Sequence, residues 1–567
     1  MLLLSPLLLL ASLTSAFPER IFSADAKHHY NVLPRALVGE LDALRRDWGI
    51  KGASIVVVQR QGDGSWKEDV VGLGIADGSG KRVDENTLSS IASNSKLFTA
   101  LSAGLIVLNE TIIRGSDARL TQKTKIRDVV QEWGLMDPIA SNGTDLIDLL
   151  SHRTGLPRHD GVYAENEDKN LLISRLRFLR PSTEFRQTWQ YNNLAYIVAS
   201  TLPEQLYSIP FEMYVQENIF GPLGMTSTTY DGAAAKASGK RSDSWVRRGM
   251  NVPACLDDLK RKKIGRKCQG ELVNAGFVSE GRMNAGPGGV ITSGKDMATW
   301  LKALLSQGRS STNESVIPSD LITAAATPYT IPYHPPTFTP SDDTISPKTY
   351  GLAQEMYTYR GHYTIEHGGA VPGQMSQVMR IPGLGLGVAV MVNDNEFDID
   401  WAAKVKEEMI NGLAKSLPPT RPDNAAVPDV PLDTIPGTYS DPAYGEMVIC
   451  SVTPTASQPP TCAETLADNP FPSLNASIPT YIAHFPKFWS SHLLFEHHNA
   501  STFLVRPRAY YPETKEGVTA QFEWFMAYFG EGGMAFSGNA WGAGPGVDPR
   551  SVEGGLRENA EVWFDKK

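Results

Sequence analysis

The stretch Ile91-Ala92-Ser93-Asn94-Ser95-Lys96-Leu97-Phe98-Thr99-Ala100 decides how this chain is read. It holds the only Ser-x-x-Lys in 567 residues. The apolar Leu97, Phe98, Ala100 and Leu101 predict a buried helix opening at the serine. Positions three apart share a helix face, so the Lys96 amine is expected beside the Ser93 hydroxyl. A serine hydroxyl is a poor nucleophile until a base takes its proton, and a lysine desolvated in a pocket is neutral enough to do so. The plainer alternative is a helix start with Ser93 near the N-cap and Lys96 in solvent.

Two further matches follow in order. Tyr191-Asn192-Asn193 is the only Tyr-x-Asn, after Pro181 and Phe185 and before Leu194, Ala195 and Tyr196. His367-Gly368-Gly369 lies between a predicted strand over 363–366 and a Gly-containing turn. His159-Asp160-Gly161 partly imitates this third motif, but it precedes the tyrosine motif and has no strand beside it. Flanking runs add weight: Leu149-Leu150-Ser151-His152-Arg153-Thr154-Gly155-Leu156-Pro157, Ile219-Phe220-Gly221-Pro222-Leu223-Gly224-Met225 and Gly286-Pro287-Gly288-Gly289-Val290.

Over residues 34–415 this ordered set resembles the serine β-lactamase and penicillin-binding-protein superfamily, in its class C β-lactamase-like branch. That branch also contains peptidases, esterases and acyltransferases. The resemblance implies an α+β fold, an antiparallel sheet flanked by helices with an all-helical subdomain. It implies that Ser93 attacks a carbonyl to form an acyl-enzyme, with Lys96 and Tyr191 sharing the base role. Protonating the leaving group would ask of Tyr191 a phenol with a lowered pKa. Asn193 would bind Lys96 or a substrate amide, and the Ser93 and Ala370 amides would hold the oxyanion. His367 would join the catalytic residues, and Gly368 and Gly369 would line the substrate site. No cofactor is implied.

One departure matters. β-lactamases of this branch usually carry Lys-Thr-Gly where this chain has His367-Gly368-Gly369. A lysine there is a fixed cation that holds a substrate carboxylate, whereas histidine is mostly neutral at pH 7. The expected substrate is therefore a small ester, amide or peptide whose acyl end need not be anionic. Transfer of the acyl group to an alcohol or amine is the second reading. An inactive binding or scaffold protein is the third, with all of Ser93, Lys96, Tyr191 and Asn193 present against it.

Composition bounds the setting. Residues 1–16, apolar over 2–13 and ending Thr14-Ser15-Ala16, predict a cleaved secretory signal, the run being short for a membrane anchor. Secretion suits four cysteines, Cys255 near Cys268 and Cys450 near Cys462, although four cysteines permit three pairings. A metal site is the alternative, but no Cys-x-x-Cys occurs. Sequons stand at Asn109, Asn142, Asn313, Asn475 and Asn499. A net charge of −9 argues against a nucleic-acid partner. The basic cluster over 260–267 reads as a solvated loop.

The predicted organisation is a signal peptide over 1–16, a hydrolase-like domain over 17–415, a proline-rich linker over 416–436 and a β-rich domain over 437–567. A helix is expected over 37–48 and strands over 53–59 and 70–75. Helices are expected over 95–109, 193–202 and 295–306. Strands are expected over 350–357, 363–367, 375–381 and 387–392, and a closing helix over 401–413. Prolines at 328, 332, 335, 336, 340 and 347 exclude a regular helix over 327–347. The start of the last domain, Gly437-Thr438-Tyr439-Ser440, resembles the small β-barrel appended to some relatives.

Overall fold

The computed structural model describes residues 30–47, 49–248, 270–276, 282–332, 345–394, 418–453, 458–467, 478–487, 489–511, 514, 516–519, 524–538, 540–542 and 548–567. The expected signal segment, Cys255 and Cys268, the 260–267 cluster, the 401–413 helix, Asn475 and most of the proline-rich loop lie outside them.

A helix, Arg35–Asp47, precedes the hairpin of β1 (Gly52–Arg60) and β2 (Trp66–Gly74). The short β3 (Leu88–Ser90) leads into a 3-10 turn, Ala92–Ser95, and the helix Lys96–Leu108. Short helices follow as far as Ala237. Then β4 (Trp245–Arg248) pairs with β5 (Glu271–Asn274), and β6 (Ile291–Ser293) pairs back with β3 before the helix Gly294–Leu305. The chain closes the sheet with β7 (Thr349–Tyr350), β8 (Glu355–Tyr359), β9 (His362–Val371), β10 (Gln374–Ile381) and β11 (Leu386–Val392). The order is β2-β1-β11-β10-β9-β8-β7, antiparallel throughout.

Strand β1 shows why its sequence is apolar along its length instead of alternating. Val56 and Val58 face a core shared with Phe98 and Leu301, whereas Ile55 and Val57 pack with Leu37 and Val38 of the first helix. Both faces of the sheet are covered, so both faces of the strand are apolar. The expected strand over 350–357 is corrected to two. Between β7 and β8 the Leu352 amide donates to Ala325 O, Gly351 donates to Gln354 O, and Ala353 has φ 65°. Docking on the end of the helix Ser319–Ala325 takes donors that a strand would need, and the ladder breaks there.

The C-terminal region comprises β12 (Gly437–Asp441), β13 (Gly445–Ser451), β14 (Thr480–Lys487), β15 (Ser490–Asn499), β16 (Thr502–Tyr511), β17 (Glu516–Thr519), β18 (Phe525–Gly530), β19 (Gly533–Ser537) and β20 (Val562–Lys566). The order β15-β14-β13-β12-β20-β19-β18-β16 closes through β15–β16 pairing, an eight-stranded barrel with β17 added beside β16. Closure removes the exposed edges of the sheet. Phe495, Phe503, Phe529, Phe536 and Phe564 fill the interior. A disulfide joins Cys450 of β13 to Cys462. Residues 418–436 lie along the barrel: Ala426 donates to Asn499 Oδ1 and Asp429 to Ser501 Oγ.

The fold is thus α+β, an antiparallel sheet flanked by helices with a helical subdomain and a closed barrel. Among the described residues no helix is long and apolar enough to cross a membrane. Asn109, Asn142, Asn313 and Asn499 are exposed.

Candidate active site

The site is built where three segments meet the start of the helix Lys96–Leu108. Ala92 has φ 46°, a left-handed bend that turns the chain from β3 into the 3-10 turn and presents Ser93, which is partly exposed. The segment 286–290 wedges against the helix: Thr99 Oγ1 donates to Gly286 O, and Val290 N donates to Ser95 Oγ. Any side chain at 286 would collide with Tyr196 O, so glycine permits this approach. On the far side β9 passes so close that a Cβ at Gly369 would lie 2.2 Å from Ile91 O and 3.0 Å from Ser93 N. Asn94 Nδ2 donates to Ser376 Oγ of the neighbouring β10, and Ser376 donates to Ile91 O.

Lys96 is wholly buried. Its Nζ lies 3.1 Å from Ser93 Oγ, 2.8 Å from Asn193 Oδ1 and 2.8 Å from Pro287 O. Burial pushes its pKa well below the usual lysine value; Arg158 adds to the effect and Asp160 opposes it. The neutral amine has two N–H groups and one lone pair. Two of its three neighbours are carbonyl oxygens that can only accept. In the neutral form both N–H groups go to Asn193 and Pro287 and the lone pair faces the Ser93 hydroxyl, whereas in the ammonium form the third N–H donates to Ser93 Oγ.

The Tyr191 ring lies under the amine, 4.8 Å from Nζ, and its phenol contacts the Ser93 hydroxyl. The expectation of a lowered phenol pKa is corrected: burial raises it above the usual tyrosine value, outweighing Ser93 and the Arg158 charge. Tyr191 is therefore a protonated donor at neutral pH. Asn193 opens the helix Asn193–Ala199, which Asn192 caps by accepting from Ala195 N.

His367 is buried in β9, its ring 6.3 Å from that of Tyr191. Its Nδ1 lies 2.6 Å from Gly368 O and must carry the proton; Nε2, 3.1 Å away, then accepts from the Tyr350 hydroxyl. His152 completes the line. Its Nδ1 accepts from Asn192 N, so its Nε2–H, at 3.3 Å, donates to Tyr350. Every hydrogen in this row has one direction, and it requires both histidines to be neutral. Burial agrees, lowering His367 to about 4 and His152 well below its usual value. Gly368 and Ala370 follow on the same strand, Ala370 half-buried opposite Met375.

The structure thus brings Ser93, Lys96, Tyr191, Asn193, His367 and Gly369 to one place, from segments far apart in the chain, with Ala370 next to Gly369 on β9. Residues 38–406 match the family model described as Beta-lactamase. The chain belongs to the beta-lactamase family. Among curated relatives, an unguisins hydrolase of Aspergillus campestris is 27% identical over 440 residues, 71% of this chain and 75% of its own. A second unguisins hydrolase, from Aspergillus violaceofuscus, is 28% identical over 454 residues, 70% of this chain and 73% of its own. The octameric penicillin-binding protein homologue from Pyrococcus abyssi aligns with 88% of this chain and 97% of its own, at 15% identity and a TM-score of 0.49.

Sequence reasoning missed several members of the site. Arg158 lies with its guanidinium 5.2 Å from the Tyr191 ring centre, and Asp160 accepts from Asn193 Nδ2 at 2.9 Å. Both flank His159, in the triplet set aside as an imitation of the third motif. A run of Arg-His-Asp straight after Gly155-Leu156-Pro157 was an available signal, since charges crowded beside a turn are costly unless paired. Tyr350 gave no signal, and the run Gly286-Pro287-Gly288-Gly289-Val290 pointed to the segment but not to the bond its Pro287 carbonyl makes with Lys96. Among the described residues no group of His, Cys, Asp and Glu is placed to hold a metal.

Proposed function

We propose that this protein is a serine hydrolase that forms an acyl-enzyme on Ser93 and cleaves a small ester, amide or peptide. The observation that carries the reading is the desolvated Lys96 amine, held by the carbonyl oxygens of Asn193 and Pro287 and 3.1 Å from Ser93 Oγ. Ser93 Oγ attacks the carbonyl carbon while its proton passes to Lys96 Nζ. The oxyanion is held by the amides of Ser93 and Ala370; Gly369, next to Ala370, lets β9 run close against the turn that carries Ser93. The proton then leaves Lys96 through the Tyr191 hydroxyl to the departing alcohol or amine. Water attacks the acyl-enzyme in the second step, returning the proton to Ser93.

His367 shapes the substrate class. As a neutral ring whose Nε2 accepts from Tyr350, it supplies no fixed cation for a carboxylate. Arg158 is paired with Asp160 through Nε at 2.6 Å, so the carboxylate offsets part of its charge. The centre carries little net positive charge, which favours acyl groups without an anionic end. The two Aspergillus relatives, named as hydrolases of unguisins, support hydrolysis as the outcome. The Cys450–Cys462 disulfide supports passage through an oxidising secretory compartment.

The test is labelling of the whole protein with a fluorophosphonate, read by intact mass and peptide mapping. One adduct on the Ser93 peptide is expected, absent in Ser93→Ala. An unlabelled, folded wild type would remove the enzyme reading and put a binding role in its place.

A further inference from the structure

The segment 157–163 touches both the reacting centre and the barrel. His159 stands at φ 45°, a left-handed conformation that costs a non-glycine residue energy unless its surroundings impose it. Here they do. Its backbone amide donates to Trp541 O at 3.0 Å. Its Nε2 lies 3.0 Å from Arg180 O and so bears the proton, leaving Nδ1 to accept from the Tyr444 hydroxyl at 2.8 Å. Tyr444 and Trp541 belong to the barrel region. Arg180 in turn donates to the carbonyls of Arg557, Glu558 and Ala560, just before β20. Lys487 of β14 donates to Val162 O. Gly542 presses on the Arg158 stem, where a Cβ would approach Arg158 Cβ to 2.9 Å.

With His159 turned into the barrel, its two neighbours turn the other way. Asp160 Oδ2 accepts from Arg158 Nε, and Asp160 Oδ1 accepts from Asn193 Nδ2. The second contact settles the orientation of the Asn193 amide. A carboxylate can only accept, so Nδ2 faces Asp160 and Oδ1 faces Lys96. With the amide reversed, an N–H would point at the amine and compete with Ser93 for its lone pair.

We propose that Asp160, clasped to the C-terminal barrel through His159, is a positioning residue that orients Asn193 and thereby aims Lys96 at Ser93, with Arg158 as its counter-charge. The barrel is then part of the catalytic apparatus, and its docking sets the geometry of the base. This rests on the acyl-enzyme reading above.

The charged groups facing Lys96 are few. Tyr191 and Tyr196 lie 4.8 and 5.4 Å away and stay protonated, while His152 and His367 are neutral. Arg158 and Asp160 remain, and they act in opposite senses, Arg158 lowering the lysine pKa and Asp160 raising it.

The experiment is the rate of fluorophosphonate labelling of Ser93 against pH, for the full chain and three variants. Asp160→Asn is expected to label about 10- to 100-fold more slowly at pH 7, as a misaimed base does. Its acid limb should also move to lower pH, because an anion beside Lys96 is gone. Arg158→Met should move that limb the opposite way. Tyr444→Phe, a single hydroxyl removed from the barrel, should slow labelling about 3- to 10-fold through the His159 clasp. It also serves alone if Asp160→Asn does not fold. Slower labelling with an unmoved limb in both loop variants means a structural role only and overturns the proposal, as does wild-type labelling by folded Tyr444→Phe. A wild type that never labels at Ser93 would instead remove the parent reading.

Discussion

At residue scale, burial decides the chemistry of Lys96. A lysine in water is a cation near pH 7 and cannot take a proton from serine. Desolvation pushes it toward the neutral amine, and the two carbonyl acceptors then fix where its lone pair points. Ser93 labelling should accordingly fall as pH drops through the lowered Lys96 pKa, with half-maximal rate well below the value of about 10.4 for free lysine. A labelling midpoint near 10 would contradict this. Gly369 offers a second test. Alanine there meets Ile91 O at 2.2 Å, and backbone cannot swing aside as a side chain can. Gly369→Ala should slow labelling roughly 100-fold by pushing β9 off the turn that carries Ser93. Wild-type rates in that variant would show that the close approach is not needed.

At the scale of elements, the helix Lys96–Leu108 is held as a buried strut. Phe98 is fully buried, edge-on to Phe220 at 5.1 Å and against Trp300 at 4.4 Å. Phe98→Ala should cost about 3–5 kcal/mol in chemical denaturation, the range for removing a buried aromatic. The loss should show in labelling as well, because the same helix carries Lys96 two residues earlier. A cost below about 1 kcal/mol would mean that the cavity collapses freely. The strand pair β9 and β10 plays the matching role opposite, fastened to the turn through Gly369, Ser376 and Asn94.

At the scale of the whole molecule, one apolar core runs from the helical layer into the barrel. It includes Leu156, Val162 and Leu179 on one side and Tyr439, Tyr444 and Phe564 on the other. The packed molecule also buries titratable groups in the neutral state, His159 against the barrel and His367 in β9. His159 and His367 are held near 4, against about 6.5 in an unfolded chain. The unfolded state binds more protons between those values, so this contribution is complete above pH 6.5 and is lost as pH falls toward 4. Each histidine is worth roughly 3 kcal/mol on that basis. Thermal unfolding followed from pH 7 to 4.5 should show a falling midpoint, steepest below 6; a level midpoint would place these histidines in solvent.

Ser93 and Lys96 were legible in the chain because an i, i+3 spacing puts two side chains on one face both in a helix and in the 3-10 turn that here leads into it. Strands β1, β2, β9, β10 and β11 were legible for a similar reason, since apolar patterning records burial directly. The break between β7 and β8 was not, because the competing acceptor, Ala325 O, comes from a distant helix. Nor was the pairing of Asp160 with Asn193, or the row His152, Tyr350, His367. The raised pKa of Tyr191 was read with the wrong sign from sequence. Neighbouring cations can be guessed from a motif, but desolvation sums over everything packed around a group. Local geometry therefore set Ser93 beside Lys96, while the protonation states and the contact of the barrel with the segment 157–163 were decided only when the chain packed.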